Sequence, residues 1–427
     1  MPSTKPILTE QFLRDDLESR VFAPASGSSE DRVGVEVEFF PLVRSRIGSG
    51  LAQPGREGNQ DFPGLFPWLN ALAAECGWSC SPAESAALAF QLKNGGAITL
   101  EPGGQVEYSS PPFHTPEEAL ADVAQVESLL CREGEKVGLT FATCGFNRWL
   151  GDAAPQLVVQ KPRYLVMDRH FEKIGPYGRM MMRQTCATQI NLDFGSAEML
   201  ERRWRVANLA SPALNALFAN APHSYRGTDF KSFRYEIWRY TDPCRTGSLD
   251  GLLDTDPVSA WLNFALEASV MLIPADGDFR EATTPISFRQ WMNGDGHPDD
   301  GFPDMDDWQL HLTTLFPDVR PRGFLELRLI DALPPQARDA AVVLSTMLLY
   351  NRHLLEESLR VLEAAPQIAE KSEHERFLAG KLLLEYAAEE TDHAVLREYY
   401  RDFARRGATP ADHEEAERRI PALIQQN

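Results

Sequence analysis

Residues 32–40 read RVGVEVEFF, in which Val33, Val35, Val37 and Phe39 alternate with Gly34, Glu36, Glu38 and Phe40. Side chains along a β-strand point to opposite faces in turn. One face of this strand is therefore apolar and seeks a core, while the other carries two carboxylates. Two further stretches repeat the pattern. ITLEPGGQVEYSS (98–110) sets Glu101, Gly103, Gln105 and Glu107 at one parity, and FLELRLI (324–330) sets Glu326 and Arg328 against Leu325, Leu327 and Leu329. Three such strands predict a sheet with helices on one face. If they share that sheet, at least five carboxylates converge on the other.

A wet sheet face is the structural alternative, since antiparallel sheets often keep one side in water. A solvated face would mix Lys, Thr and Ser among the acids, and these positions do not. Like charges held close repel and raise one another's pKa. A divalent cation relieves this, and hard oxygen ligands without soft ones suit Mg²⁺. In this reading Glu101 and Glu107 hold metal, Gly103-Gly104 leaves room for a ligand above the strand, and Gln105 bonds a polar group of the substrate. Two carboxylates alone would serve a glycosidase, but that leaves the arginines described below without a role.

The 427 residues carry a net charge of −20, with 43% apolar and 24% charged residues. That is an ordinary globular composition, and its sign excludes a nucleic-acid partner. MPSTKPILTEQFLRDD lacks the order of a signal peptide, and the apolar run AAVVLSTMLLY from Ala340 is too short for a bilayer. A cytoplasmic protein without a membrane partner is expected. Cysteines at 76, 80, 131, 144, 186 and 244 form no CxxC pair and no zinc spacing, and read as reduced thiols.

Along the chain, an amphipathic opening and the soft APASGSSEDR precede the first strand, and GSGLAQPGREGNQDFPG follows it as a long loop. Helices are expected at 65–76, 115–137 (with a Thr-Pro-Glu-Glu start), early in 161–195, at 197–220 and at 256–270. Strands are expected around 86–110 with a hairpin at Asn94-Gly95, at GLTFATCGF, and at CATQINLDF, where Ala187, Gln189, Asn191 and Asp193 share a face. Beyond Pro335 the chain is rich in Ala, Leu, Glu and Arg and predicts helices at 336–362, 373–405 and 410–424. The irregular order of elements predicts an α+β fold with a largely antiparallel sheet. Residues 1–335 would form the core, with 336–427 packed on it as one integral domain.

Arginine forms a planar fork suited to carboxylate or phosphate. Candidates are Arg179 in GPYGRMMM, Arg234, Arg239 and Arg245 in KSFRYEIWRYTDPCRTG, and Arg328; for Arg239 a structural ion pair is the preferred reading. Acidic strands facing arginines suit an anionic, metal-bound substrate, with a nucleoside triphosphate and Mg²⁺ foremost. Neither GxxxxGK[ST] nor a GxGxxG fingerprint accounts for such a site.

ITLEPGGQVEYSSPP resembles the signature of plant-type glutamate–cysteine ligases. KPRYLVMDRHF…GPYGRMMMRQTCATQINLDFG, IWRYTDPCRTG, TPISFRQWMNGDG and DWQLHLTTLFPDVRPRGFLELRLIDALPP resemble the bacterial branch that opens ergothioneine synthesis. The likeness is collinear from about Val33 to Pro335. It implies a glutamine-synthetase-like fold, a curved sheet with the site on its inner face and helices outside, and ATP-dependent joining of the glutamate γ-carboxylate to the cysteine amine through γ-glutamyl phosphate. It implies Glu36, Glu38, Glu101, Glu107 and Glu326 as metal or metal-nucleotide ligands and Arg328 on ATP phosphate. Arg179, Gln189, Arg234 and Arg245 become candidates for the amino acids or the transferring phosphoryl group, and Asn191, Trp238 and Asp242 lie near. The expected partners are therefore glutamate, cysteine and ATP, in a monomer or homodimer. Glu101→Gln or Glu326→Gln is expected to remove activity and spare the fold. The alternatives are a related carboxylate–amine ligase with another acceptor, or a non-catalytic metal-nucleotide-binding protein on the same fold. The pathway served, ergothioneine, glutathione or another thiol, is left open.

Overall fold

The first strand, β1 (Val33–Arg44), runs twelve residues and organises the sheet. In the computed structural model, which describes residues 8–23, 31–44, 51–52, 64–80, 89–150, 156–275, 278–363, 367–391 and 393–405, it meets four partners. Its first half pairs with β8 (Thr188–Leu192) on one side and β6 (Val106–Ser109) on the other, and its second half with β7 (Leu139–Ala142) and β2 (Leu51–Ala52). With β3 (Ser79–Cys80), β4 (Phe90–Gln91), β5 (Ala97–Leu100), β9 (Val319–Pro321) and β10 (Leu325–Leu327), ten strands form one sheet. Its main path runs β9-β10-β8-β1-β6-β5-β4-β3, antiparallel at every pairing.

The apolar parity of β1 is buried throughout: Val33, Val35, Val37 and Phe39 are 0–3% exposed. Each such side chain contributes roughly 1.5–3 kcal/mol on burial. They share one core with Ile98, Leu100, Ile190, Leu192, Leu325 and Leu327 from the neighbouring strands. Three helices complete this core: α3 (Pro116–Glu135), α6 (Ala197–Leu217) and α11 (Pro335–Tyr350). The start of α3 is set by a capping box between Thr115 and Glu118 with Pro116 in the first turn. Further helices are α1 (Glu10–Asp16) and α2 (Leu65–Cys76) before it, and α8 (Pro257–Glu267), α9 (Phe288–Met292) and α10 (Met305–Leu312) after α6. Beyond α11, α12 (Arg352–Glu363), α13 (Glu373–Glu390) and α14 (Ala394–Arg405) pack against α6 and α11.

The expected helix at 336–362 is broken at Asn351, whose extended backbone ends α11. Its side-chain oxygen then receives the amides of His353 and Leu354 and starts α12. The expected helix at 410–424, most of the loop at 48–64 and most of APASGSSEDR lie outside the described residues.

The polar side of the sheet is roofed by α4 (Pro162–Ile174), α5 (Pro176–Gln184) and α7 (Phe233–Thr241), held by a second apolar cluster that includes Met167, Phe171, Met180, Met182, Phe233 and Ile237. The roof touches the sheet at the Glu101–Gln105 segment, where the structure departs from the expected single strand. The Gly104 amide donates to the Glu101 carbonyl at 2.8 Å, and the Glu101 amide to the Gln105 carbonyl at 2.9 Å. Gly104 has φ +84. This is a three-residue hairpin loop ending in a left-handed glycine. Leu100 pairs with Val106 and Thr99 with Glu107. Folding back across this odd-length loop returns Glu101, Gln105 and Glu107 to one face, the result that simple alternation also predicts.

The glycine pair does not clear space for a ligand. A Cβ on Gly103 would lie 2.3 Å from the Arg183 carbonyl oxygen, and one on Gly104 would lie 3.2 Å from Val158. The glycines admit the roof. Gly103→Ala must displace the backbone that ends α5, so a loss of about 1–3 kcal/mol is expected from urea unfolding. An unchanged midpoint would show that the roof is not anchored there.

Candidate active site

Between the sheet and its roof lies a cavity of about 620 Å³. Its floor follows from strand register. Glu38 of β1 stands opposite Glu107 of β6, while Glu36 lies between Ser109 and Gln189. On the far side, Glu326 of β10 stands between Asn191 and Arg320. Glu101 joins them from the hairpin loop. Five glutamates and six arginines line the cavity, the latter being Arg20, Arg163, Arg234, Arg320, Arg322 and Arg328.

The two charge types are unevenly distributed. Glu36 accepts the Asn191 Nδ2 at 2.8 Å. Glu38 accepts the Ala187 amide at 2.9 Å and the Gln189 Nε2 at 3.1 Å. Glu107 accepts the Thr99 hydroxyl at 2.9 Å and, more weakly, the Gln189 Nε2 at 3.4 Å. Every one of these donors is neutral. Burial first, and then Glu101, pushes Glu38 up to about 8. Burial, then Glu36, Glu101 and Glu38, holds Glu107 well above the usual carboxylate range. Burial raises Glu101 against the pull of Arg328, and burial with Glu326 raises Glu36.

Glu326 is different. Its side chain is 0% exposed, and it accepts Arg320 at 2.6 and 3.0 Å, Arg322 at 2.9 Å and Arg328 at 2.8 Å. Burial alone would raise it, but the guanidiniums of Arg320 and Arg328 outweigh burial and hold it below its ordinary value.

The donor set can be tested against a cation. The carboxylates as placed form no group of three acids, cysteines or histidines around one point among the described residues. The described side chains thus make no preformed all-protein cage. Mg²⁺, however, is commonly bound by one or two carboxylates with phosphate oxygens and waters completing the octahedron. Under-compensated Glu36, Glu38, Glu101 and Glu107 fit that role. So do two buried oxygens with no hydrogen-bond partner among the described residues, Gln105 Oε1 and Asn191 Oδ1. Glu326, saturated by arginines, fits it least.

Of the residues expected at the site, Glu36, Glu38, Glu101, Gln105, Glu107, Gln189, Arg234, Trp238, Glu326 and Arg328 line this one cavity. Asn191 sits just beneath, bonded to Glu36. Besides Asn191, three others do not line it. Arg179 pairs with Asp168 at 3.0 Å and Glu172 at 2.6 Å, because its helical position turns it toward α4. Arg245 is fully buried and bonds Asp242 at 2.6 Å, the Thr314 carbonyl at 3.2 Å and Ser269 at 2.7 Å. Asp242 is held low against burial by His170 and Arg245. That pair locks the end of α7 and is not part of the cavity lining.

Arg234 lines the cavity, yet both its terminal nitrogens donate at 2.8 Å to the carbonyls of Arg328 and Leu329. The sequence reading missed Arg320 and Arg322. The available signal was VRPRG: a period-two pair of arginines before a turn glycine, which folds them back beside Glu326. Arg163 and Arg20 carry no local signal, because helices far apart in the chain bring them to the rim.

A family model described as Glutamate-cysteine ligase family 2 (GCS2) matches residues 32–426. Glutamate–cysteine ligase A, chloroplastic, of Oryza sativa subsp. japonica is 30% identical over 358 residues, covering 83% of this chain and 69% of that protein. The chloroplastic glutamate–cysteine ligase of Brassica juncea is also 30% identical, over 83% of this chain and 67% of its own. Among solved structures, glutamate–cysteine ligase from Francisella tularensis in complex with AMP aligns with TM-score 0.45 at 11% identity, over 93% of this chain and 89% of that one. A bifunctional glutathione synthetase from Pasteurella multocida aligns with TM-score 0.45 at 13% identity, with 98% of this chain spanning about half (54%) of that enzyme.

Two measurements test the electrostatics. Groups with raised folded values bind more protons folded than unfolded. The stability they contribute is complete below the unfolded carboxylate value and is lost as pH rises through the folded one. The metal-free protein should therefore melt at lower temperature as pH goes from 5 to 8, the window ending near the Glu38 value of about 8. Glu38→Gln should flatten that slope; an unaltered slope would remove Glu38 from the account. Glu326→Gln leaves three guanidiniums without a counter-charge, and should cost about 3–5 kcal/mol in denaturant unfolding. For this variant the geometry thus predicts a loss of stability where the sequence reading expects the fold to be spared.

Proposed function

The chain belongs to glutamate-cysteine ligase family 2, and from that premise we propose that it joins the glutamate γ-carboxylate to the cysteine amine at the expense of ATP, giving γ-glutamylcysteine. The observation that carries this reading is the meeting of under-compensated carboxylates and an arginine group in one cavity. A carboxylate is a poor acylating agent until its oxygen becomes a leaving group. Transfer of the ATP γ-phosphoryl group to the γ-carboxylate gives an acyl phosphate and ADP. The amine then adds to the acyl carbon, and phosphate departs as the nitrogen gives up its proton.

Such a reaction needs positioning and charge compensation more than a nucleophilic side chain. Mg²⁺, held by Glu36, Glu38, Glu101 and Glu107 with phosphate oxygens, would supply charge neutralisation at the transferring group. Arg328, Arg320 and Arg322 offer donors to the phosphates. Glu326 orients all three. Arg234 holds the main chain of Arg328 in place. Met181, Met182, Trp238 and Phe316 form an apolar wall; the Trp238 ring lies 5.9 Å from the Arg328 guanidinium. That wall suits a thiol better than a charged acceptor side chain.

Two narrower readings go with this proposal. The motifs that resemble the ergothioneine branch support a product destined for that pathway. Deleting the gene should then abolish ergothioneine in the source organism, and loss of glutathione instead would redirect the assignment. A cytoplasmic location also remains a proposal. No helix among the described residues is long and apolar enough to cross a membrane, while the plant relatives are named chloroplastic.

The decisive experiment follows phosphate release with ATP, Mg²⁺ and glutamate, with and without cysteine, and weighs the product. Cysteine-dependent release with γ-glutamylcysteine is expected. Release driven by another amine would keep the ligase and change its acceptor, and nucleotide binding with no turnover under any acceptor would leave a binding protein. Glu101→Gln should lower kcat by about 100-fold or more while its melting temperature stays near that of the parent.

A further inference from the structure

Gln189 occupies the seam between the two halves of the cavity. It stands on β8 opposite Glu36, and the register that pairs Leu327 with Ile190 brings Arg328 to its other side. Its Oε1 accepts the Arg328 Nη1 at 2.8 Å, and its Nε2 donates to Glu38 at 3.1 Å and, more weakly, to Glu107 at 3.4 Å. The amide can sit only this way round. Flipped, it would face NH₂ against a guanidinium and C=O against two carboxylates. Its residue is 4% exposed, and both amide hydrogens are directed at glutamates.

The amide sits where an ion pair would otherwise form. A guanidinium and a carboxylate in contact make a charge-assisted bond about twice as strong as a neutral one. Placed directly against Glu38 or Glu107, Arg328 would neutralise the carboxylates and spend its own fork. With the amide between them, Arg328 commits only Nη1, to Gln189 and Glu326. Its Nε is buried without a partner, and its Nη2 makes no hydrogen bond among the described residues. Nε and Nη2 are the parallel pair that grips an oxyanion in bidentate fashion.

We propose that Gln189 is a positioning residue: a neutral spacer that keeps Arg328 and the Glu38–Glu107 pair from pairing with each other, so that the arginine fork stays available to phosphate and the carboxylates to its cation. This differs from the role implied by family resemblance, contact with the amino acids or the transferring phosphoryl group. It rests on the cavity being a metal–nucleotide site.

Gln189→Met keeps the length and removes both hydrogen-bonding ends. The first readout needs no turnover: calorimetric titration of the full chain with MgADP in the absence of amino acids. The variant should bind about 10- to 100-fold more weakly. In steady state, kcat should fall and the KM for MgATP rise while the KM for glutamate holds. A raised KM for glutamate with MgADP affinity intact would overturn the proposal in favour of substrate binding. Unchanged values throughout would overturn it outright. Should the methionine variant fail to fold by thermal melting, Gln189→Asn takes its place. That amide is one methylene too short to reach both partners, and the same loss of MgADP affinity is required of it. A parent protein that binds MgADP but ligates nothing would sink the ligase reading alone, since the titration still reports on the spacer.

Discussion

Four glutamates held under a roof, where burial and mutual repulsion outweigh their neutral donors and the pull of nearby arginines, are the constraint on which the rest of the structure depends. Strand register places Glu36, Glu38 and Glu107 there and the hairpin loop places Glu101, and neither Glu36 nor Glu38 can leave without a break in the alternation that buries Val33, Val35, Val37 and Phe39 behind them. Folding thus concentrates like charge because the apolar side of the same strands must be covered. The repulsion is bearable only while the acids hold protons or a cation, which makes the site a receptor for positive charge.

Against that constraint the arginines are kept apart. Arg320, Arg322 and Arg328 gather on Glu326, and Arg234 on the carbonyls of the strand end that bears Arg328. A mixed cavity of acids and bases would ordinarily collapse into mutual ion pairs. Here the short row Glu36–Gln189–Arg328 separates them with one amide. A metal–nucleotide anion is the ligand that needs both charges unspent, one for its cation and one for its phosphates.

Much of the fold was legible because its signals are local. The parity of β1, the Thr-Pro-Glu-Glu start of α3 and the Asn94-Gly95 turn are each contained within a few residues. The hairpin at Glu101–Gln105 was misread as one strand, although the signal for the turn, Pro-Gly-Gly, was in view. The face assignment survived because a loop of odd length preserves parity. The arginines were less legible. Arg179 and Arg245 carry glycine neighbours like a ligand-binding residue, but Arg179 is taken by Asp168 on another helix, eleven residues back, and Arg245 by Asp242 three residues before it and by Thr314 and Ser269 from remote segments.

The sequence by itself determined which side chains share a face, since alternation along a strand is a property of the backbone alone. Only the tertiary structure decided which cations reach that face, that Glu326 belongs to the arginines, and that the glycine pair admits the roof. Those outcomes depend on how the Arg320–Glu326 hairpin turns back on itself and on which remote segments come to lie together, as Arg183 does over Gly103, and charge is felt across space, where the order of the chain has no say.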